Sequence, residues 1–417
     1  EHGLRIAHVL LTHNHADHLS GHGRLAAATG ATLHAPATTG AEYEHEPLED
    51  GSVVELGRAR IVALRTPGHR PEHTAFVVHD RERAEAPWLL LTGDSLFVGD
   101  VARPDLAIEP EEGARELRRS LDRLFEHEDY VEVWPGHVGG SLCGGADMSE
   151  KPSTTLGFER RFNPRVALAG EEFTRALTSN LPPQPPSFRR IVELNRGPLI
   201  TTAAPVEPLA PTRVEELLED GAVIVDTRAP REFDAAHVPG SINVTAIETG
   251  VGTRAAWVVD PDAEVVVLAP SDAETTTIAR KLEAVAIRKL NGFVSGGIGA
   301  WQAAGLPTSS THAIDPHGLA ERLRANDVTL LDVREDDEWK EGHVAGSLHV
   351  PYRELRKSPP AELSRNGKQL AVACSAGNRS SLAASLLERA GRGDVVHVGD
   401  GGIEDLEREG IELVSGA

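Results

Sequence analysis

Cysteine is nearly missing from this 417-residue chain: Cys143 and Cys374 are the only two, and there is one methionine. Two thiols so far apart exclude a disulfide framework and point to a reducing, cytoplasmic setting. No apolar run approaches the roughly 20 residues that span a bilayer, so no transmembrane segment is expected. Positive charge is also in deficit, with 42 Lys+Arg against 64 Asp+Glu and a formal net charge of −22. A field of that sign repels phosphate backbones and anionic lipid, which argues against nucleic acid and membrane surfaces as partners. The sequence opens on Glu1 with neither an initiator Met nor a basic-then-apolar leader, and it is expected to begin partway through a longer protein. Disorder is excluded by 40% hydrophobic and 25% charged residues. At roughly 100–200 residues per domain, the length predicts two to four domains.

Histidine is abundant, with 19 in all, and eleven of them precede residue 80. Such clustering suggests a metal site.

Three blocks are expected: 1–205, 206–309 and 310–417. The first ends in the stiff stretch Leu181-Pro182-Pro183-Gln184-Pro185-Pro186, a semi-rigid spacer. The other two are copies of one another. Val223-Ile224-Val225-Asp226-Thr227-Arg228 recurs as Thr329-Leu330-Leu331-Asp332-Val333-Arg334, and Ala236-His237-Val238-Pro239-Gly240-Ser241 recurs as Gly342-His343-Val344-Ala345-Gly346-Ser347. Continuous apolar strands such as Val265 to Leu268 and Leu370 to Ala373, each followed by a helix, predict α/β domains with parallel sheets.

In the first block four apolar runs each deliver a His or Asp. Val9 to Thr12 stops at His13-Asn14-His15-Ala16-Asp17-His18, and Ile61 to Leu64 leads to Thr66-Pro67-Gly68-His69. Trp88 to Leu91 leads to Thr92-Gly93-Asp94, and Val131 to Trp134 leads to Pro135-Gly136-His137. Strands laid side by side would gather these side chains at one sheet edge. An extended backbone from His13 to Asp17 would turn His13, His15 and Asp17 to one side. Nitrogen and carboxylate ligands without thiolate suit zinc, iron or manganese.

These residues resemble the metallo-β-lactamase superfamily, whose H-x-H-x-D-H signature stands here as His13 to His18, with His69, Asp94 and His137 at the remaining ligand positions. The resemblance implies an αββα sandwich, with its opening strands expected to be missing because only twelve residues precede the signature. Two metals would use all seven residues to activate a water for hydrolysis. One iron would need two His and one carboxylate, leaving positions for dioxygen and substrate. The segments His69-Arg70-Pro71-Glu72-His73, Gly93-Asp94-Ser95-Leu96-Phe97-Val98-Gly99-Asp100-Val101-Ala102-Arg103 and Pro135-Gly136-His137-Val138-Gly139-Gly140-Ser141-Leu142-Cys143-Gly144 look like the persulfide dioxygenase branch. That resemblance implies one Fe(II) per chain on His13, His69 and Asp94, with His15, Asp17, His18 and His137 orienting ligands, binding substrate or holding a second metal. Arg103 is a candidate partner for a substrate carboxylate or a plain ion pair. Cys143 either lines the pocket or is a small buried apolar residue.

In the last block the strand Leu370 to Ala373 ends at Cys374-Ser375-Ala376-Gly377-Asn378-Arg379 and a helix follows. A thiol there faces free backbone N–H groups and the positive helix end, which favour the thiolate, and Arg379 adds fixed charge. The loop resembles the rhodanese active loop and implies sulfur transfer through Cys374 and Arg379, with Ser375 and Gly377 as candidate anion-binding positions. In the first copy Cys374 is expected to fall on Pro270, which carries no thiol, so this copy reads as an inactive rhodanese-like domain. His237 and His343 are equivalent and are expected to be framework.

The whole order resembles fused persulfide dioxygenase–sulfurtransferases. The function it implies is Fe(II)-dependent oxidation of a low-molecular-weight thiol persulfide by dioxygen to sulfite, followed by rhodanese sulfur transfer to sulfite, giving thiosulfate. A zinc-dependent thioester hydrolase of the glyoxalase II kind and a non-oxidising sulfur-relay protein are the alternatives. A homo-oligomer is left open.

Overall fold

The computed structural model of the chain describes residues 3–145, 147–246, 250–356, 363 and 367–416. They form two compact units, Glu1–Thr202 and Ala203–Ala417.

The first unit is a two-sheet α/β structure. One sheet is parallel, in the order β1 (His8–Leu10), β2 (Thr32–Pro36), β3 (Glu46–Leu48). The other has six strands in sequence order: β4 (Val53–Leu56), β5 (Ala59–Arg65), β6 (Thr74–Asp80), β7 (Leu89–Gly93), β8 (Glu132–Pro135) and β9 (Thr154–Thr155). Strands β5 and β7 both run antiparallel to β6, and β8 runs parallel to β7, so β5, β7 and β8 end at the same edge.

The helix Pro110–Leu124 covers the six-stranded sheet. Pro110 at its first position, Glu111 and Glu112 in the first turn and Arg123 in the last all suit a helix and its dipole. Ala114, Leu117, Leu121 and Leu124, spaced by three and four, are fully buried, and the three leucines pack with Leu90, Phe97, Val131 and Val133. The same helix sets a site loop. Gly68 has φ +140° and a Cβ there would lie 2.5 Å from Leu117 Cα, while Ser120 Oγ donates to Pro67 O at 2.6 Å. Only glycine lets the turn before His69 lie this close.

The second unit holds two like sheets, each wholly parallel. The first is ordered β10 (Pro208–Leu209), β14 (Leu290–Val294), β13 (Val265–Leu268), β11 (Val223–Asp226), β12 (Ile242–Asn243). The second is ordered β15 (His312–Ile314), β20 (Val395–Val398), β19 (Gln369–Ala373), β16 (Val328–Asp332), β18 (Leu348–His349), beside an antiparallel ribbon of β17 (His343–Val344) and β21 (Leu413–Val414). Strands β11, β13 and β20 are buried at every residue, as expected for strands covered on both faces.

Sheet register corrects one expected equivalence. Asp226 lies beside Leu268 in the first copy and Asp332 beside Ala373 in the second. Cys374 therefore corresponds to Ala269 rather than to Pro270. The slip arises because the turn after β13 is longer than the turn after β19, so matching the helices misplaces the strand end. The first copy still offers no thiol there. Each copy also carries the same buried clasp, with Arg228 Nη2 on Asp226 Oδ2 at 2.5 Å and Arg334 Nη2 on Asp332 Oδ2 at 2.7 Å.

The helix Asn378–Arg389 is buried from Ser380 through Leu387, because both copies cover it. Its serines are satisfied: Ser381 Oγ donates to Asn243 Oδ1 at 2.8 Å, and Ser385 Oγ accepts from the Asn243 N–H at 3.0 Å. Among the described residues no helix is long and apolar enough to cross a membrane.

Candidate metal centre and thiol loop

All four delivering strands end together, but the expected single sheet edge is corrected. Three ends belong to the six-stranded sheet, and His13 comes from β1 of the other. Nor is the His13–Asp17 segment extended; it is an irregular loop, and the alternation expected of a strand does not apply. His13 joins His69 and Asp94 in one buried group, while His15, Asp17 and His18 join His137 in a second, more open one.

Asp94 Oδ2 is the common point. It lies 3.6 Å from His13 Nε2, 3.4 Å from His69 Nε2 and 3.3 Å from His137 Nε2. His137 Nε2 is also 3.4 Å from Asp17 Oδ2, and His18 Nδ1 is 3.0 Å from Asp17 Oδ1. His13 Nε2, His15 Nδ1, His69 Nε2, His137 Nε2 and both Asp94 oxygens are buried without a hydrogen-bond partner among the described residues. Buried polar atoms are ordinarily paired, so lone pairs aimed inward from separate loops fit a cation.

The distal nitrogens are fixed. His69 Nδ1 donates to Arg103 O at 3.1 Å, and His13 Nδ1 meets Thr12 Oγ1 at 2.9 Å. Asn195 Nδ2 donates to the carbonyls of both His15 and His18 at 2.9 Å, pinning the loop. Burial holds His13 and His69 below the usual histidine range, and brings His15 down to about 4 with help from His18. Neutral imidazole is the ligating form. Burial opposes ionisation of Asp94, yet the surrounding histidines keep it an anion. Burial would likewise lower His137, but Asp94 and Asp17 raise it to about 9.

The other candidates are placed as follows. Arg103 is buried and its fork is engaged by Asp105, with Nε and Nη2 each 2.7 Å from a carboxylate oxygen, so the ion pair is the arrangement seen. Cys143 is fully buried within reach of Asp94 and His137, and burial together with the Asp94 and Asp17 carboxylates pushes its thiol up. His73 belongs to the site as well, outside the seven ligand-type positions of the sequence pattern. It is fully buried, accepts the Asp94 N–H on Nε2 at 2.9 Å, and meets Thr66 Oγ1 and Ser95 Oγ with Nδ1. Its place four residues after His69 was the only signal for it.

In the second unit Cys374 sits buried at the end of β19. The Gly377 N–H donates to its Sγ at 3.1 Å and Ser380 Oγ lies 3.4 Å away. Gly377 has φ +88°, the left-handed conformation that turns its N–H toward sulfur. Arg379 is gripped by Glu338 at 2.5 and 2.7 Å, and Ser375 Oγ bridges the pair, accepting from Arg379 Nη2 at 2.9 Å and donating to Glu338 Oε1 at 3.0 Å. Burial opposes the Glu338 carboxylate, but Arg379 and Ser375 hold it below its usual range. A cavity of about 270 Å³ opens on the thiol, walled by Arg254, Glu335, Tyr352, Ser375 and Arg379. Neither Glu338 nor Ser380 stood out in the sequence. His237 and His343 both use Nδ1 on a carbonyl four residues back and stack on Phe233 and Trp339, as framework residues do.

Residues 1–137 match the Metallo-beta-lactamase superfamily, and residues 210–304 and 315–409 each match the Rhodanese-like domain. The human mitochondrial persulfide dioxygenase ETHE1 is 30% identical over 206 residues, 48% of this chain and 73% of that protein. Its bovine counterpart is 31% identical over 184 residues, and the chain covers 65% of it, just under two thirds. A hydroxyacylglutathione hydrolase from Methylobacterium nodulans is 30% identical over 196 residues, 41% of this chain and 72% of that enzyme. Among solved structures, a metallo-beta-lactamase from Staphylococcus aureus aligns with TM-score 0.61 at 26% identity, covering 70% of this chain and 85% of its own. The chain belongs to the metallo-beta-lactamase superfamily and carries two rhodanese-like domains behind that domain.

Proposed function

We propose that the chain is a two-site enzyme of sulfur metabolism. The first site oxidises a low-molecular-weight thiol persulfide, and the second transfers sulfane sulfur to sulfite. The observation that carries this reading is the buried His13–His69–Asp94 group, two imidazoles and a carboxylate with unpaired atoms aimed at one point, in the unit similar to persulfide dioxygenases. Such a trio suits Fe(II), one ion per chain. Iron held there would supply the redox chemistry that dioxygen requires.

The chain's own residues do the rest. His69 is oriented by the Arg103 carbonyl, and His13 by Thr12. His15, Asp17, His18 and His137 border the site on its more open side, where substrate enters. The overall change is RSSH + O2 + H2O giving RSH, sulfite and two protons. At the second site the Cys374 thiolate bonds to the outer sulfur of a donor as the donor's S–S bond breaks and a thiol leaves. Sulfite then attacks that outer sulfur, the Cys374 S–S bond breaks, and thiosulfate departs with the thiolate restored. Arg379, Arg254 and the Gly377 N–H supply the positive surroundings for an anionic sulfur. Two unpaired cysteines accord with a reducing cytoplasm.

A second reading has its own support. The His15–Asp17–His18–His137 group could hold a second ion, and the relative from Methylobacterium nodulans is a hydroxyacylglutathione hydrolase; together they suit a dizinc thioester hydrolase. Elemental analysis of protein purified without oxygen, coupled to oxygen uptake on glutathione persulfide, separates the two. One iron and oxygen uptake is expected. Two zincs with thioester cleavage would replace the dioxygenase reading, and bound iron without oxygen uptake would leave a sulfur relay.

A further inference from the structure

The rhodanese-like copy without a thiol reaches into the site of the copy that has one. Asp234, from the helix Pro230–Ala235 of the first copy, places Oδ2 2.7 Å from Nδ1 of His397 on β20 of the second. His397 Nε2 lies 3.0 Å from the Gly377 carbonyl and 3.2 Å from Ser380 Oγ. Ser380 Oγ stands 3.4 Å from Cys374 Sγ. Cys374, Ser380 and His397 are at most 1% exposed and Asp234 is 7% exposed, so water does not compete along this line.

Hydrogen-bond roles follow from the partners. A carboxylate and a backbone carbonyl offer only lone pairs, so both ring nitrogens of His397 donate. Asp234 and His397 then form a buried pair whose Nε2–H end faces the thiol loop. Ser380 Oγ has one proton and three acceptors in reach, the Gly377 carbonyl at 3.0 Å, the Val398 carbonyl at 3.1 Å and Sγ at 3.4 Å; with Nε2–H on its lone pair, that proton turns to Sγ when the sulfur is charged. Both arrangements favour a negatively charged sulfur, and neither forms without the Asp234 carboxylate. Resting on the sulfur-transfer reading of Cys374, we propose that Asp234 is a positioning residue for that thiol, so the copy lacking a cysteine is a working part of the active one.

The other charged or titratable groups nearby are few. Arg379 with Glu338, and Arg254, Glu335 and Tyr352, surround the thiol from the cavity side. Arg231 and Asp400, paired with one another, and Asp315, which accepts from the Gly318 N–H, line the neighbouring cavity that also touches Asp234 and His397. None of these stands between Asp234 and Cys374.

The test compares full-length wild type, Asp234→Asn and Asp234→Glu. Two readings are taken: the pH dependence of Cys374 alkylation by iodoacetamide, followed on its own peptide, and sulfur transfer from thiosulfate to cyanide. Asp234→Asn should move half-maximal alkylation upward by about one pH unit and cut turnover about tenfold with little change in KM. Asp234→Glu should recover much of both. A folded Asp234→Asn with a wild-type alkylation profile and turnover within twofold of wild type overturns the proposal. Should Asp234→Asn not fold, Ser380→Ala, which removes the link nearest sulfur, is read the same way. Wild type that moves no sulfur from thiosulfate would defeat the sulfurtransferase reading, while the alkylation profile would still decide the role of Asp234.

Discussion

The main-chain N–H of Asp94 donates to His73 Nε2 at 2.9 Å, inside a fully buried network. His73 thereby sets the carboxylate on which His13, His69 and His137 converge, without itself pointing at their common centre. Groups of this kind typically change metal affinity by about 10–100-fold when altered. His73→Phe should weaken metal retention by that order, read by competition with a chelator. Retention equal to wild type would refute the link.

Gly136 touches the same carboxylate from the turn after β8. A Cβ at this position would lie 2.5 Å from Asp94 Oδ1. Gly136→Ala must therefore displace Asp94 or β8, at a cost of about 1–3 kcal/mol. A lowered unfolding temperature together with reduced metal content is expected, and a variant that keeps both at wild-type values would show that the loop gives way freely.

Acid should destabilise the metal-free protein. Unfolded histidines take up a proton near pH 6.5, whereas burial delays this to about 4 in His15 and about 3 in His73. Between these values the unfolded chain binds more protons, so stability falls as pH drops below 6.5. His137 has the opposite sign. Its folded value of about 9 stabilises the protein below pH 6.5, and that contribution disappears as pH rises through 9. Unfolding temperatures of chelator-treated protein from pH 4 to 9 should describe both arms, and His137→Gln should flatten only the alkaline one.

Glu338 holds Arg379 and Ser375 together beside the thiol. Glu338→Gln keeps the shape but removes the charge that neutralises the guanidinium. Half-saturation by thiosulfate should fall because the site becomes more cationic. Turnover should fall about tenfold as Arg379 loses its fixed direction. Steady-state kinetics that move both constants the other way would reassign Glu338.

Cys374→Ser should abolish thiosulfate formation while leaving sulfite production and oxygen uptake intact. Loss of both activities in a folded variant would mean that the two sites are not separate.

Much of the architecture could be read from residue order. The repeat of Asp226-Thr227-Arg228 in Asp332-Val333-Arg334 marks two like sheets, because a buried aspartate needs its arginine two residues on. The four strand ends in the first unit announce a cluster of ligand-type side chains. Local pattern failed where the chain departs from regular geometry. From His13 to His18 the loop is held by Asn195, far along the chain, so a strand's alternation cannot describe it. His397 and Asp234 are 163 residues apart and meet only through the packing of two copies, which no spacing rule anticipates. The same limit applied to Glu338, whose partner Arg379 lies 41 residues away.

The equivalence of Leu268 and Ala373 within their sheets has a consequence for how such chains change. Two matching scaffolds end on the same rung, one continuing into Ala269 and the other into Cys374. Reactivity is thus an attribute of a handful of linking residues and can be gained or discarded without rebuilding the platform beneath. A duplicate freed from that duty can keep its shape and take up the task of buttressing its twin.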